Sequence, residues 1–379
     1  MDNALSIYIH WPFCASKCPY CDFNSFVSGG VDQARWKAAL LCEIESYASG
    51  INGRMTRSIY FGGGSPSLMR PDVVAELIFF IRNSWGLAED AEITLEANPT
   101  SVEARRLQDF RDAGVTRLSL GAQSLEERAL RFLGRGHTAN DVRVGIALAA
   151  ECFSRYSFDM IYGRPGQTPA HWRRELGEAL TLVGGHISLY QLTIEPGTIF
   201  HRDGVAEADE ETAAALFEVS QELMGSNGLF SYEISNYARP GEECRHNLAC
   251  WRGGDYLGIG PGAHGRLTSP LGTEAMEQIR SPEKWLLGVE KNGRGSAQRS
   301  ILSSQERCEE LLLMGLRLNE GVDAERFFAL TGKKIERIVN SYALEKLVHG
   351  GFLEINNTCL LATKAGRLRL NAVLAELLA

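Results

Sequence analysis

The stretch HWPFCASKCPYC, residues 10–21, decides the fold that this sequence predicts. It follows the apolar run at residues 7–9, which has the length and character of a short buried strand. Three cysteines, Cys14, Cys18 and Cys21, fall within eight residues of the following loop. Because the other six cysteines are scattered along the chain, this triplet is either a ligand set for a metal centre or a redox site.

Outward from this loop, short apolar runs alternate with longer amphipathic stretches to about residue 215. The predicted strands lie at 7–9, 58–61, 93–95, 117–120, 158–161 and 187–190. The predicted helices lie at 34–47, 71–84, 101–113, 125–133, 140–153 and 169–182. Several begin at a capping residue or a first-turn proline, such as Thr100 and Pro71. Six strand–helix units in succession predict an α/β fold with a parallel sheet.

Polar or glycine-rich sequence follows nearly every predicted strand. This holds for residues 10–14, 62–66, 96–99, 121–124 and 162–167. Because the carboxyl ends of parallel strands meet at one edge of the sheet, we expect these segments to surround one shared mouth. Turns alone would explain the glycines and prolines, but not Glu96 and Gln123 so close to strand ends.

The composition is that of an ordinary globular protein. Of 379 residues, 44% are hydrophobic and 23% charged, and 39 Lys+Arg against 47 Asp+Glu give a formal net charge of −8. The acidic balance argues against general nucleic-acid binding, and no apolar run is long enough to predict a transmembrane segment. The first residues lack the pattern of an export signal, and nine cysteines without a regular framework suit reduced thiols, so we expect a cytoplasmic protein.

The three N-terminal cysteines favour an iron–sulfur cluster. Such clusters are normally held by four thiolates, so a [4Fe-4S] cluster held by three keeps one iron open to a substrate or cofactor. The sequence CPYC at residues 18–21 also fits a glutaredoxin-type thiol reductase, although Cys14 would then have no role and the chain is far longer than that fold needs. A structural zinc ion would have to take its fourth ligand from an awkwardly placed neighbour.

With the cysteine motif, GGGSP at 62–66 and EANP at 96–99 resemble the motifs of radical S-adenosylmethionine (SAM) proteins. Within that superfamily, the whole chain resembles the oxygen-independent coproporphyrinogen III oxidases and, more closely, the haem chaperones related to them. The resemblance implies a partial (β/α)6 barrel and a [4Fe-4S] cluster on Cys14, Cys18 and Cys21. It also implies that SAM binds the open iron and is cleaved to methionine and a 5′-deoxyadenosyl radical by an electron from the cluster.

The same resemblance assigns residues to the SAM site. Tyr8 and Tyr20 flank SAM, while Gly63, Gly64 and Ser65 let the backbone approach its methionine end, since glycine removes the side-chain obstacle. Ser65 stands where the family usually has threonine and keeps the hydroxyl. Four more polar residues match SAM-contacting positions: Glu96, Gln123, Arg135 and Asp159. A carboxylate suits ribose hydroxyls or an ammonium group, and an arginine suits a carboxylate.

Three features favour the chaperone group over the oxidases. The oxidases carry a further cysteine where this chain has Phe23, and a longer segment before the first cysteine, where this chain has thirteen residues. The chaperones carry a haem-associated motif, His-Asn-x-x-Tyr-Trp, which this chain matches at 246–251 with Cys250 in place of tyrosine. His246 is therefore a candidate axial ligand to haem, and the Cys250 thiolate is an alternative ligand. A zinc site that adds Cys244 to these two residues is a further alternative.

The sequence suggests three regions. Residues 1–230 form the radical SAM partial barrel, 231–295 a glycine-rich segment at the haem or substrate mouth, and 296–379 a helical, winged-helix-like domain. Over 301–379, ten Lys+Arg balance ten Asp+Glu, so the positive charge of a DNA-binding domain is missing. We interpret this last region as a structural or docking cap.

These features predict a radical SAM haem chaperone that binds haem, a [4Fe-4S] cluster and SAM and transfers haem to an unidentified acceptor protein. The acceptor is open to membrane association, and no nucleic-acid partner is expected. The main alternative is an oxygen-independent coproporphyrinogen III oxidase, which decarboxylates its substrate through the 5′-deoxyadenosyl radical. A glutaredoxin-like thiol reductase is a distant alternative. No residue is assigned a catalytic role, and SAM cleavage is left open.

Overall fold

Strands and helices alternate through the first 226 residues of the computed structural model, which describes residues 3–48, 50–51, 53–356 and 358–379. The strands are β1 (Ala4–Trp11), β2 (Phe13–Cys14), β3 (Phe26–Val27), β4 (Met55–Gly63), β5 (Leu87–Ala97), β6 (Arg117–Gln123), β7 (Arg155–Tyr162) and β8 (His186–Gln191). The helices are α1 (Gln33–Ala48), α2 (Pro71–Trp85), α3 (Ser101–Ala104), α4 (Leu107–Asp112), α5 (Glu127–Phe132), α6 (Ala139–Cys152), α7 (Pro169–Leu180), α8 (Ile199–Arg202) and α9 (Glu210–Ser226).

Six of these strands lie side by side in parallel, in the order β1-β4-β5-β6-β7-β8. All six predicted strands and the predicted α/β class are therefore confirmed. Local signals begin the helices: Pro71 occupies the first turn of α2, and Thr138 caps α6 in a reciprocal capping box with Asp141. The single helix predicted over 101–113 is wrong, because the chain forms α3 and α4 as separate short helices.

The next segment extends this sheet at both ends. It contains β9 (Phe230–Ser231), β10 (Asn236–Ala238), α10 (Arg245–Trp251), β11 (Tyr256–Ile259), β12 (His264–Ser269), β13 (Gly272–Gln278), α11 (Pro282–Asn292) and β14 (Ser296–Ile301). β10 pairs antiparallel with β8, whereas β11 pairs parallel with β1. The full sheet has twelve strands in the order β14-β13-β12-β11-β1-β4-β5-β6-β7-β8-β10-β9.

The C-terminal region has a separate hydrophobic core and a small antiparallel sheet. It consists of α12 (Ser304–Gly315), β15 (Val322–Asp323), α13 (Ala324–Thr331), α14 (Ser341–His349), β16 (Leu353–Ile355), β17 (Cys359–Ala362), α15 (Lys364–Leu368) and α16 (Leu370–Leu377). The strand order is β15-β17-β16. Helices with a β-hairpin agree with the predicted winged-helix-like region, and a 3-10 turn over Ile335–Arg337 precedes α14.

The two faces of the parallel sheet differ in polarity. On β1, the side chains of Leu5, Ile7 and Ile9 are fully buried in the main core with residues of the surrounding helices. The alternate positions point to the other side because strand side chains alternate with a period of two. This second side, here called the polar face, carries Ser6, Tyr8, Ser58, Tyr60, Glu92, Thr94, Glu96, Ser157 and Asp159. Within the described ranges, no helix combines the length and the apolar character needed to cross a membrane.

Candidate functional site

The three N-terminal cysteines lie on one anchored loop, residues 14–21, which we call the cysteine loop. Cys14 ends β2, and the chain returns through β3, which pairs with β2. Within the loop, the backbone N–H of Cys21 donates to the Cys18 carbonyl over 3.1 Å, and the Pro19 carbonyl accepts from the Phe200 N–H over 2.9 Å. All nine cysteines of the chain are free thiols, and the three in the loop are partly exposed.

The three sulfur atoms of the cysteine loop do not all lie within 4.8 Å of one another. In the described chain, Glu126, His171 and Glu175 form the only group of three His, Cys, Asp or Glu side chains whose ligand atoms all lie within 4.8 Å of one another. At least one pair of cysteine-loop sulfurs is therefore farther apart than the roughly 4 Å expected around one zinc ion with Zn–S bonds of about 2.3 Å. The same argument disfavours zinc on Cys244, His246 and Cys250.

Residues 62–65, which we call the glycine strip, run beside the cysteine loop. Gly63 has a φ of +116°, and a Cβ placed there would lie 2.6 Å from Cε1 of His10. A Cβ on Gly64 would lie 2.8 Å from the Phe13 carbonyl oxygen. The Ser65 N–H donates to that same carbonyl over 2.8 Å. The backbone here is thus bare and close to the cysteine loop, a cradle that other residues would fill.

Glu96 at the end of β5 fixes the edge of the glycine strip. Its carboxylate accepts a hydrogen bond from the Gly63 N–H over 3.1 Å and another from the Tyr60 hydroxyl over 2.9 Å. Burial, together with the nearby Asp159 carboxylate, raises the pKa of Glu96 to about 7. Burial also raises the pKa of Asp159 to about 6, against the effect of a hydrogen bond from Ser188. Taken as whole residues, Glu96 and Asp159 are partly exposed.

Asn98 connects the glycine strip to the cysteine loop. Its amide nitrogen donates to Ser65 Oγ over 3.0 Å, and its amide oxygen accepts from Arg135 Nη2 over 2.6 Å. Arg135 Nη1 in turn lies 3.3 Å from Cys18 Sγ. The Asn98 backbone N–H donates to the buried carboxylate of Glu103 over 2.9 Å, which holds the turn in place.

Gln123 occupies a strained turn at the end of β6. Its φ of +66° is the only positive value at a non-glycine residue in the described chain. The next residue, Ser124, donates to the buried carboxylate of Glu175, which also pairs with the buried guanidinium of Arg164. This ion pair supports the turn from behind, so the Gln123 backbone has a fixed conformation at the mouth.

Of the two predicted tyrosines, Tyr8 belongs to β1 and Tyr20 to the cysteine loop. The Tyr8 hydroxyl is 3.0 Å from Nδ1 of His10, a histidine to which sequence reasoning assigned no chemistry. Burial raises the pKa of both Tyr8 and Tyr20 above the ordinary tyrosine value, so both phenols stay neutral. The Tyr20 ring packs against Phe200, with the two ring centroids 6.4 Å apart.

His246 lies beside two tyrosines of the polar face, with its ring centroid 6.4 Å from that of Tyr8. It belongs to α10, is 6% exposed, and its Nδ1 is 3.0 Å from the hydroxyl of Ser58, near the start of β4. The Tyr60 ring separates it from Glu96, with the Tyr60 and His246 ring centroids 5.0 Å apart. Burial lowers the pKa of His246 to about 4, which keeps the imidazole neutral. A neutral imidazole is the form that ligates metals.

A cavity of about 190 Å3 opens beside α10. Asn247, Cys250 and Trp251 of the 246–251 motif line it, together with Met314 and Arg317 from the C-terminal region. The Arg317 guanidinium lies over the Trp251 ring, 4.7 Å from its centroid. His246 does not line the cavity. The motif therefore has one buried residue, His246, and three residues that line the cavity, Asn247, Cys250 and Trp251.

Sequence reasoning gave no role to two residues of this site, Asn98 and Tyr60. Asn98 was visible within the 96–99 motif, but its link to Arg135 joins positions 37 residues apart. Tyr60 could have been found from the strand pattern, because it is opposite Tyr8 in the β1–β4 register and two residues before Gly62.

Models of two protein families match the chain. The radical SAM superfamily model matches residues 8–178, and the HemN C-terminal domain model matches residues 302–369. The fold and the cysteine loop thus define a radical SAM protein.

Full-length relatives narrow the class. Heme chaperone HemW from Escherichia coli is 37% identical, over 99% of this chain and 98% of the relative, and HemW from Mycobacterium tuberculosis (strain H37Rv) is 34% identical, over 98% and 94%. The mitochondrial radical S-adenosyl methionine domain-containing protein 1 of Danio rerio is 34% identical, over 98% of this chain and 86% of its own. The chain belongs to the HemW family of radical SAM proteins.

The solved structure of coproporphyrinogen III oxidase (HemN) from Escherichia coli has the same fold. It superposes with a TM-score of 0.84 at 20% sequence identity and covers 99% of this chain and 90% of its own. The predicted radical SAM fold, including the C-terminal region, is therefore confirmed.

Proposed function

We propose that this protein binds a [4Fe-4S] cluster, SAM and haem, and that it transfers haem to acceptor proteins. The observation that carries the proposal is the meeting of the cysteine loop and the glycine strip at one mouth, where Asn98 joins Ser65 to the guanidinium beside Cys18. Relatives named heme chaperone HemW support the haem function. The free thiols support a reducing compartment such as the cytoplasm.

Cys14, Cys18 and Cys21 would hold the cluster, which when bound supplies one electron and an open iron position for SAM. The backbone of Gly63 and Gly64 would lie against the methionine end of SAM, as the resemblance implies. Nearby, the Ser65 hydroxyl accepts a hydrogen bond from Asn98.

Five further residues would complete the SAM site. Glu96, ionised above its raised pKa of about 7, would accept from an ammonium group or ribose hydroxyls. The strained Gln123 turn and Asp159 add polar contacts at the same edge of the sheet. Tyr8 and Tyr20 would provide neutral aromatic walls of the mouth.

Haem would bind at α10, where this helix faces the C-terminal region of the chain. Cys250, Trp251 and Arg317 line a cavity, where the Arg317 guanidinium pairs with the buried Glu233 carboxylate over 3.4 Å. His246 is buried beside Tyr60, with their ring centroids 5.0 Å apart, and it does not line this cavity.

The chaperone function is favoured over the oxidase by one position. Phe23 stands where the resemblance places a further cysteine in the oxidases, and it is 61% exposed. Likeness to HemN at 20% identity supports the shared fold and does not bear on its reaction.

Anaerobic reconstitution tests the cluster. We expect about four irons per chain in the wild type, loss of the cluster absorbance in Cys14→Ala, and full iron content in the matched variant Cys152→Ala, whose cysteine lies on α6. Failure of the wild type to assemble a four-iron centre would refute the proposal. A thiol reductase activity that survives in Cys14→Ala would instead favour the glutaredoxin-like alternative.

Haem titration of the same samples tests the second ligand. His246→Ala should weaken haem binding while iron content is unchanged, because His246 contacts no residue of the cysteine loop in the hydrogen bonds and ring contacts of the described chain. Cys250→Ala tests the alternative ligand, with Cys359→Ala on β17 as the matched control. Haem affinity that is unchanged in both His246→Ala and Cys250→Ala would exclude this site.

Transfer is measured by following the haem absorbance after mixing with the apo form of a haem protein. An anaerobic assay for protoporphyrinogen IX separates the chaperone from the oxidase. Sustained turnover of coproporphyrinogen III would discard the chaperone function.

A further inference from the structure

The guanidinium of Arg135 is directed toward the cysteine loop. Arg135 Nη2 donates to the Asn98 amide oxygen over 2.6 Å and to the Gly121 carbonyl over 2.9 Å. Arg135 Nη1 donates to Cys18 Sγ over 3.3 Å. Both terminal nitrogens thus have protein partners, and only the buried Nε lacks one in the described chain. The sequence-based assignment of Arg135 to the SAM site stays a prediction beside these contacts.

Asn98 makes the orientation specific. Its amide oxygen accepts from Arg135 while its amide nitrogen donates to Ser65. If the amide rotated by half a turn, its NH2 group would face the guanidinium donor of Arg135 and both hydrogen bonds would be lost. The Glu103 carboxylate holds the Asn98 backbone. The guanidinium is therefore fixed against the sulfur, and little side-chain entropy is lost on forming the bond.

We propose that Arg135, held by Asn98 and Gly121, donates a charge-assisted hydrogen bond to the Cys18 sulfur that raises the reduction potential of the cluster. Hydrogen bonds to the sulfurs are among the factors that set the potential of iron–sulfur clusters. One added electron makes the cluster more negative, so a fixed cation and donor at a ligand sulfur stabilise the reduced form more than the oxidised form. No covalent bond forms or breaks, and the electron comes from an added chemical reductant.

The inference rests on the proposed cluster on Cys14, Cys18 and Cys21. Its test is a redox titration of reconstituted protein without SAM, followed by visible absorbance and by EPR of the reduced cluster. The absence of SAM separates an effect on the cluster from an effect on SAM binding. Arg135→Gln removes the charge and the donor, and Arg131→Gln is the matched control, because Arg131 is an exposed arginine in the last turn of α5.

In Arg135→Gln, we expect the ratio of reduced to oxidised cluster at a fixed potential to fall at least about tenfold, which is about 59 mV for a one-electron couple. Arg131→Gln should behave as the wild type. An unchanged potential in Arg135→Gln, or an equal shift in both variants, would overturn the inference, since the second result would reflect general charge alone.

Asn98→Ala keeps the charge but removes one of the two acceptors that hold the guanidinium, and it decides the question if Arg135→Gln does not assemble a cluster. We expect a smaller decrease in potential in the same direction. An unchanged potential in Asn98→Ala would then overturn the inference. If the wild type itself assembles no cluster, the proposed function fails and not merely this inference.

Discussion

Replacing Gly63 by alanine tests the geometry of the glycine strip. The new Cβ would lie 2.6 Å from Cε1 and 2.7 Å from Nδ1 of His10. The His10 ring cannot move away freely, because Nδ1 is hydrogen-bonded to Tyr8 and Nε2 to the Asn24 carbonyl, at 3.0 and 2.9 Å. A positive φ costs a non-glycine residue about 1–3 kcal/mol, and overpacking adds about 1–3 kcal/mol. We expect Gly63→Ala to lower the free energy of unfolding by roughly 2–6 kcal/mol.

Urea denaturation of the cofactor-free protein, followed by tryptophan fluorescence, measures this change for the unfolding transition of the main sheet. Gly166→Ala is the matched control, because Gly166 also has a positive φ of +71° but has no atom within 4 Å of its Cβ position. It should cost only about 1–2 kcal/mol. In a His10→Ala background, Gly63→Ala should lose most of its excess cost. An equal cost of Gly63→Ala in both backgrounds would show that the contact with His10 is not the cause.

Three further predictions concern buried charge. Burial raises the pKa of Glu43 to about 7, above its ordinary value. Ionisation of Glu43 therefore destabilises the fold as the pH rises from about 4.5 to about 7. In denaturation curves, Glu43→Gln should remove about 3 kcal/mol of this pH dependence. SAM affinity of the reconstituted protein, measured by equilibrium dialysis, should increase about tenfold from pH 6 to pH 8 as Glu96 ionises, and Glu96→Gln should abolish that increase. Glu175→Gln leaves buried Arg164 unpaired and should cost about 3–5 kcal/mol in urea denaturation, whereas Arg173→Ala, which breaks an exposed ion pair, should leave the denaturation midpoint almost unchanged.

Local sequence patterns predicted the elements that depend on local signals. The six parallel strands follow apolar runs, and their helices begin at caps and prolines that act within one turn. The break between α3 and α4 has a tertiary cause, because the Arg106 side chain at the junction donates to the carbonyl of Ser67 over 3.0 Å and also to that of Met69. No local pattern in the sequence records these distant acceptors.

β11 was missed for a related reason. Its four residues, Tyr256–Ile259, include a glycine and lie in a glycine-rich segment with little periodicity. The strand forms because β1 offers a free edge, and Gly258 is required because a Cβ there would lie 2.0 Å from the His264 carbonyl oxygen. A contact with a neighbouring strand thus determines both the strand and its glycine.

The site shows the same division. The cysteines and the glycine strip are contiguous motifs, so the sequence predicts them together. The link from Ser65 through Asn98 to Arg135 depends on amide and guanidinium orientations that only the folded chain defines. The haem role of His246 remains a prediction, and the structure adds that the ring is buried beside Tyr60.

The buried titratable groups of the polar face differ in charge between Glu96 and Asp159 on one side of Tyr60 and His246 on the other. The raised pKa values of Glu96 and Asp159 mean that the protein supplies too little positive charge near these carboxyl groups to offset their burial. A cationic ligand at the mouth would lower both pKa values and gain binding energy from the ionised carboxylates, and SAM carries a sulfonium and an ammonium group. On the other side of Tyr60, the buried titratable group is the imidazole of His246. This group is neutral and therefore needs no counter-ion. A neutral nitrogen ligand suits haem iron, which agrees with the proposed haem role of His246.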